Sequence, residues 1–160
     1  MLSPGWTSYP NRLHFVTNDV TALVAGRVNA IGAILGDGWF RGYLGWDGKR
    51  AIYGDQLGLL AQLEITYTDG SRHTIVTDTT WQTSFGPIVS SDIYNGETYD
   101  GRATIDGWSS AEFDAMVWDA AENFAPNVGA LVAPLAPPVR RTQELTAGPA
   151  PSIRRRLLRS

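Results

Sequence analysis

The residues best suited to chemistry fall in two short stretches. The first is Ser90-Ser91-Asp92-Ile93-Tyr94-Asn95-Gly96-Glu97-Thr98-Tyr99-Asp100-Gly101-Arg102, which packs three carboxylates, one amide, two tyrosines and an arginine around a glycine turn. Oxygen-rich loops of this kind suit Ca²⁺, which takes about six to eight oxygen ligands, or sugar hydroxyls, which take planar carboxylate and amide partners. The spacing is not that of an EF-hand loop. A local reading stands beside these: Asp and Asn hold turns through bonds to nearby backbone, while Glu97 or Asp100 pairs with Arg102. The second stretch is Leu35-Gly36-Asp37-Gly38-Trp39-Phe40-Arg41-Gly42-Tyr43-Leu44-Gly45-Trp46-Asp47-Gly48. Its glycines suit sharp bends at a strand end, and Trp39, Tyr43 and Trp46 offer flat faces for the apolar C–H side of a pyranose ring. It is not a phosphate cradle, because it has no Gly-Lys-Ser/Thr and no helix pattern follows. Trp39 adjoins an apolar run and reads as core. Trp46, followed by Asp47-Gly48-Lys49-Arg50, reads as exposed.

Other chemistries fall away. With no cysteine there are no disulfides, thiolate nucleophiles or Cys-based metal sites, and two histidines, His14 and His73, do not make a His-rich centre. Neither histidine lies near a nucleophile-elbow motif. A glycosidase needs two carboxylates at a set separation, one with a raised pKa, and among fifteen acids before residue 139 a pair can always be named, so naming one says little. Charge disfavours nucleic acid: residues 1–138 carry 7 basic against 15 acidic groups, a balance of −8, while 139–160 carry 6 against 1, a balance of +5. The apolar runs span only a few residues, so neither a membrane span nor a signal segment is expected, and the expected location is the cytoplasm.

These residues need a scaffold, and the composition describes one. A chain of 160 residues, 43% apolar and 18% charged, is one domain's worth of material, and 17 glycines, 9 prolines and 6 tryptophans give it the turn-rich texture of an all-β fold. Leu63, Ile65 and Tyr67 alternate with Gln62, Glu64 and Thr66, then Thr68-Asp69-Gly70-Ser71 supplies a tight turn before Arg72–Thr77. This predicts a β-hairpin with one wet face. Strands are also predicted at His14–Thr17, Ala30–Leu35, Thr80–Thr83, Ile88–Ser91 and Tyr99–Ala103, with one capped helical turn at Asn18–Leu23. Ala30–Leu35 is apolar on both faces, the pattern of a central strand. No crossover helix delivers a parallel partner, so antiparallel sheets are expected. Residues 1–124 read as a β-sandwich, 125–145 as a proline-rich linker, and 146–160 as a basic tail expected to be disordered.

Six motifs, in order, carry a resemblance: Pro4-Gly5-Trp6-Thr7-Ser8-Tyr9, Asn18-Asp19-Val20-Thr21, Gly36–Gly42, Tyr53-Gly54-Asp55, Gln62–Ser71 and Ser91–Arg102. From about Leu2 to Leu145 the chain resembles the N-terminal accessory domain of bacterial α-L-rhamnosidases, glycoside hydrolase family 78. The resemblance implies an antiparallel β-sandwich of jelly-roll type that has no catalytic centre and assists recognition of L-rhamnose-containing glycans, in some members through Ca²⁺. Cleavage, which is inverting, belongs to carboxylates of a separate (α/α)₆ barrel, the expected partner. The family's domain opens with further strands before the Pro-Gly-Trp motif. Here Met1 stands three residues before Pro4, so the first strands are expected to be missing and the chain reads as a fragment. On this reading Asp92, Asn95 and Glu97 make the polar sugar contacts, with Trp46 or Trp6 as the stacking face. Asp37, Trp39, Arg41, Asp100 and Arg102 support the site or an interface. No cofactor is required; if Ca²⁺ is bound, Asp92 and Asn95 are its expected ligands. The competing reading is a structural module that packs against the rest of the enzyme and touches no sugar.

Overall fold

A computed structural model of the chain describes residues 4–24, 26–137, 142–146 and 148. The expected basic tail falls outside them except for Thr146 and Gly148, as do residues 138–141 of the expected linker. The fold is all-β with little helix. From the N-terminal side, β1 (Arg12–His14) precedes a 3₁₀ turn at Thr21–Leu23 and a single helical turn, α1 (Gly38–Arg41). The ribbon of β2 (Tyr43–Leu44) and β3 (Lys49–Arg50) follows, then the hairpin of β4 (Gln62–Thr66) and β5 (Arg72–Val76). Next come β6 (Gln82–Thr83), the antiparallel pair β7 (Ile88–Asp92) and β8 (Gly96–Tyr99), and a 3₁₀ turn at Gly101–Ala103. β9 (Asp119–Ala120) pairs with β6, and β10 (Ala130–Val132) pairs with β1.

The β4–β5 hairpin follows its alternation. Leu63 and Ile65 are half-buried opposite Ile75 and His73, while Gln62, Glu64 and Thr66 face solvent. Gly70 takes φ of 84°, open to glycine at no steric cost, and Asp69 accepts the Ser71 N–H and hydroxyl to close the turn.

Four expectations are corrected. Ala30–Leu35 is not a strand: an apolar run becomes one only with a neighbour to complete its ladder, and none lies beside it among the described residues. The strand expected at His14–Thr17 is Arg12–His14 instead, and it pairs parallel with β10, with Arg12, Leu13 and His14 opposite Ala130, Leu131 and Val132. The long intervening chain makes that parallel return, so no crossover helix is needed. β10 also places a strand inside the segment expected as a linker, in the proline-free stretch between Pro126 and Pro134. Finally, the strand expected at Tyr99–Ala103 ends at Tyr99, because Asp100 caps a 3₁₀ turn by accepting the Arg102 N–H.

Among the described residues the strands form five separate pairs. Only Tyr9 and Leu44 are buried apolar residues among those described. An aromatic cluster surrounds Tyr9. Tyr9 meets Phe40 and Tyr53 edge-on with centroids 5.2 and 4.9 Å apart, and Phe40 stacks on Tyr53. The cluster ties the N-terminal segment to α1.

Candidate functional site

The two chemistry-bearing stretches meet. α1 and β2 from the second and β7–β8 from the first enclose a cleft of about 460 Å³, within the range of small-ligand sites. Asp37, Arg41, Tyr43, Arg50, Ser91, Asp92, Asn95 and Thr98 supply its polar lining, and Leu35, Ile88 and Val89 its apolar lining.

Asp92 is the clamp between the two walls. One carboxylate oxygen accepts the Tyr43 N–H across the cleft at 2.7 Å; the other accepts the Tyr94 and Asn95 N–H groups of its own turn, each at 2.8 Å. Partial burial pushes its pKa up, but these three hydrogen bonds and the positive charge of Arg50 outweigh that and hold the carboxyl below its ordinary value. The approach is close enough that a Cβ on Gly42 would lie 2.6 Å from the Asp92 carboxylate, so only glycine fits there.

Asp37, with a side chain only 13% exposed, sits between two guanidinium groups. Arg41 Nε donates to it across one helical turn, and Arg50 Nη2 donates from β3 at 3.2 Å. Arg41 also reaches the Asp55 carbonyl, and Arg50 lies over the Tyr43 ring, 5.7 Å from its centroid. The Asn95 side chain is exposed at the rim and makes no hydrogen bond among the described residues.

The remaining candidates fall elsewhere. Trp6 stacks on Trp39 at 5.3 Å and donates its indole N–H to the Tyr53 hydroxyl, so one of its faces is covered. Trp39 in turn meets Tyr94 edge-on at 6.0 Å, linking α1 to the β7–β8 turn. Trp46 is fully exposed in the β2–β3 turn and, like Trp6 and Glu97, does not line the cleft. Asp100 and Arg102 form a bidentate pair at 2.9 and 2.7 Å just beyond the end of β8, outside the cleft lining. Arg50, Tyr43 and Thr98 join the site through strand pairing. Of these only Tyr43 carried a sequence signal, as a flat face; Arg50 and Thr98 carried none for the site.

The lining offers guanidinium and amide donors, hydroxyls and an apolar floor, the mixture that suits a polyhydroxylated ligand. It does not suit general acid catalysis by Asp92, whose pKa is displaced away from the raised value such a role requires. Nor do Asp92 and Asn95 alone make a calcium site. They bring one carboxylate, already accepting three N–H bonds, and one amide, against six or more oxygens needed. No group of three or more metal-ligating side chains occurs among the described residues.

Comparison with known proteins places this geometry in context. Residues 1–143 match the model of the α-L-rhamnosidase N-terminal domain. The chain is 42% identical over 149 residues to an α-L-rhamnosidase of Streptomyces avermitilis, covering 91% of this chain and 14% of that protein. It is 39% identical over 147 residues to one from Alteromonas sp. strain LOR, covering 91% and 16%. Among solved structures, the Streptomyces avermitilis α-L-rhamnosidase complexed with L-rhamnose superposes with a TM-score of 0.80 at 38% identity, over 89% of this chain and 14% of that one. The chain thus spans about one seventh of the length of these relatives. It belongs to the α-L-rhamnosidase N-terminal domain family.

Proposed function

We propose that the chain is a non-catalytic accessory domain of an α-L-rhamnosidase, a sandwich of jelly-roll type, and that it assists recognition of L-rhamnose-containing glycans at the cleft between α1–β2 and β7–β8. The carrying observation is the unpaired Asn95 amide beside Arg41, Arg50, Ser91 and Thr98, around a volume that accommodates a monosaccharide. The sugar contacts are assigned to Asn95 and to the arginine and hydroxyl groups of the lining. Asp92 and Asp37 hold that lining in place. The chemistry of cleavage resides in a separate (α/α)₆ barrel domain of the parent enzyme, the partner of this one.

Titration of the folded chain with L-rhamnose, with and without Ca²⁺, followed by amide NMR shifts and tryptophan fluorescence, tests the reading. Saturable shifts at Asn95 and its neighbours are expected at millimolar sugar. Asn95→Ala should weaken binding by roughly tenfold, the worth of one or two net hydrogen bonds. A flat response from a demonstrably folded sample removes the proposal.

A second reading draws on the small core. Many large apolar side chains are exposed, among them Val28, Ile34, Leu60 and Val89 at 66 to 75%. A domain that packs against the rest of its enzyme and binds no sugar presents such a surface. The same titration separates the two.

A further inference from the structure

Resting on the reading of the cleft as a sugar site, we propose that it selects sugars that carry a carboxylate, uronic acid residues, and that Arg50 is the residue that distinguishes them from neutral ones.

The lining holds two guanidinium groups and two carboxylates, but it does not present them equally. Both carboxylates are engaged within the protein. Asp37, only 13% exposed, accepts from Arg41 Nε at one oxygen and from Arg50 Nη2 at the other. Asp92 accepts three backbone N–H groups. The cations are the more open partners, with the Arg41 and Arg50 side chains 35 and 50% exposed. One carboxylate serves two guanidinium groups, and Asp92 makes no ion pair with either among the described residues. A ligand therefore meets positive charge first, although the four groups sum to zero.

Hydrogen-bonding capacity points the same way. Arg41 Nη2 and Arg50 Nε and Nη1 meet no acceptor among the described residues. A guanidinium only donates, and a carboxylate matches it best, because it takes two N–H bonds at once with opposite charge to strengthen them. A neutral hydroxyl takes such a donor without that gain. The Ser91 and Thr98 hydroxyls and the Asn95 amide, which line the same cleft, suit the hydroxyls of the ring that bears the carboxylate. Arg50 is also set in advance. Its guanidinium is tied at Nη2 and lies over the Tyr43 ring, 5.7 Å from the centroid, so little side-chain freedom remains to be lost on binding.

NMR titrations of the full chain with methyl β-D-glucuronide, its neutral methyl ester and L-rhamnose, in about 20 mM salt, test this. The glucuronide is expected to bind about tenfold more tightly than its ester, the gain from charge-assisted bonds over neutral ones, and to move the Arg50 Nε–H signal. The preference should shrink in about 0.5 M salt, where charges on an open cleft are screened. Arg50→Gln should abolish it by weakening the glucuronide alone. Equal affinity for glucuronide and ester overturns the proposal. So does a preference that survives Arg50→Gln, or acetate that moves the same signals at the same concentration as the glucuronide. Where L-rhamnose moves the cleft amides but glucuronide and ester do not differ, selection of the carboxylate falls and the sugar site stands. Where none of the three moves them, both fall. The glucuronide and its ester are compared on the unmodified protein, so the outcome holds even where the variant fails to fold.

Discussion

Among the described residues six aspartates accept the backbone N–H two residues downstream: Asp19, Asp69, Asp78, Asp92, Asp100 and Asp114. Each closes a turn that the sequence marks with polar residues but does not distinguish from a ligand loop, since an Asp that caps its own backbone and an Asp that binds a ligand are the same letter. Asp92 differs by its long-range bond, to the Tyr43 N–H on the opposite wall. Asp92→Asn retains an acceptor for the turn but sets an amide N–H₂ against one of the N–H donors. A loss of about 1 kcal/mol is expected, read as a lower urea midpoint. Because the folded carboxyl lies below its ordinary value, the stabilisation it gives is fully present above the unfolded-state pKa near 3.9 and is lost as pH falls through the folded one. The gap between native and Asp92→Asn midpoints should therefore be constant above about pH 5 and close as pH falls below about 4. All other groups are the same in both proteins and cancel in the difference. A gap that stays constant to pH 2.5 would show that the carboxylate charge contributes nothing.

At the scale of elements, local partnerships were legible in the chain and distant ones were not. The β4–β5 hairpin was readable because strand, turn and partner lie within sixteen residues, with alternation and Asp-Gly agreeing. The β1–β10 pair was hidden, because nothing in Arg12–His14 names a partner near Ala130 and nearby prolines argue against a strand there. Ala30–Leu35 failed the other way: its composition specifies a central strand, but composition does not supply the neighbours. The cleft itself was half legible. Its two walls were each recognisable, while their meeting depends on Asp92 reaching Tyr43, a contact between residues 49 positions apart. The β1–β10 pairing also makes one glycine indispensable. The Gly129 N–H donates to the Tyr9 carbonyl, and a Cβ there would overlap the Asn11 carbonyl group, which is backbone and cannot swing aside. Gly129→Ala should cost about 1–3 kcal/mol, the penalty of forced overpacking, and deprotect the amides of β1 and β10 in hydrogen exchange. Gly5→Ala, where a Cβ meets nothing within 4 Å, should leave the melting temperature within a degree or two, as surface substitutions do. Equal effects at the two positions would contradict the close approach.

For the molecule as a whole, the size of the core is the deciding quantity. Tyr9 and Leu44 are the only buried apolar residues among those described, whereas a self-contained domain of this mass buries about two-thirds of the surface of its extended chain. The small core accords with the five separate two-stranded pairs among the described residues, each of a kind that is marginal alone, joined in part by the aromatic cluster around Tyr9. It also accords with a chain that matches about one seventh of its relatives' length and holds their geometry at a TM-score of 0.80, because faces left open here are those a longer polypeptide has the means to cover. Since the denaturant slope scales with surface released on unfolding, urea denaturation at low micromolar protein should give an m-value below that typical for a compact domain of this size. A full-sized m-value in the dilute monomer would mean that the chain closes its apolar faces by itself, and the packing-module reading would lose its physical basis.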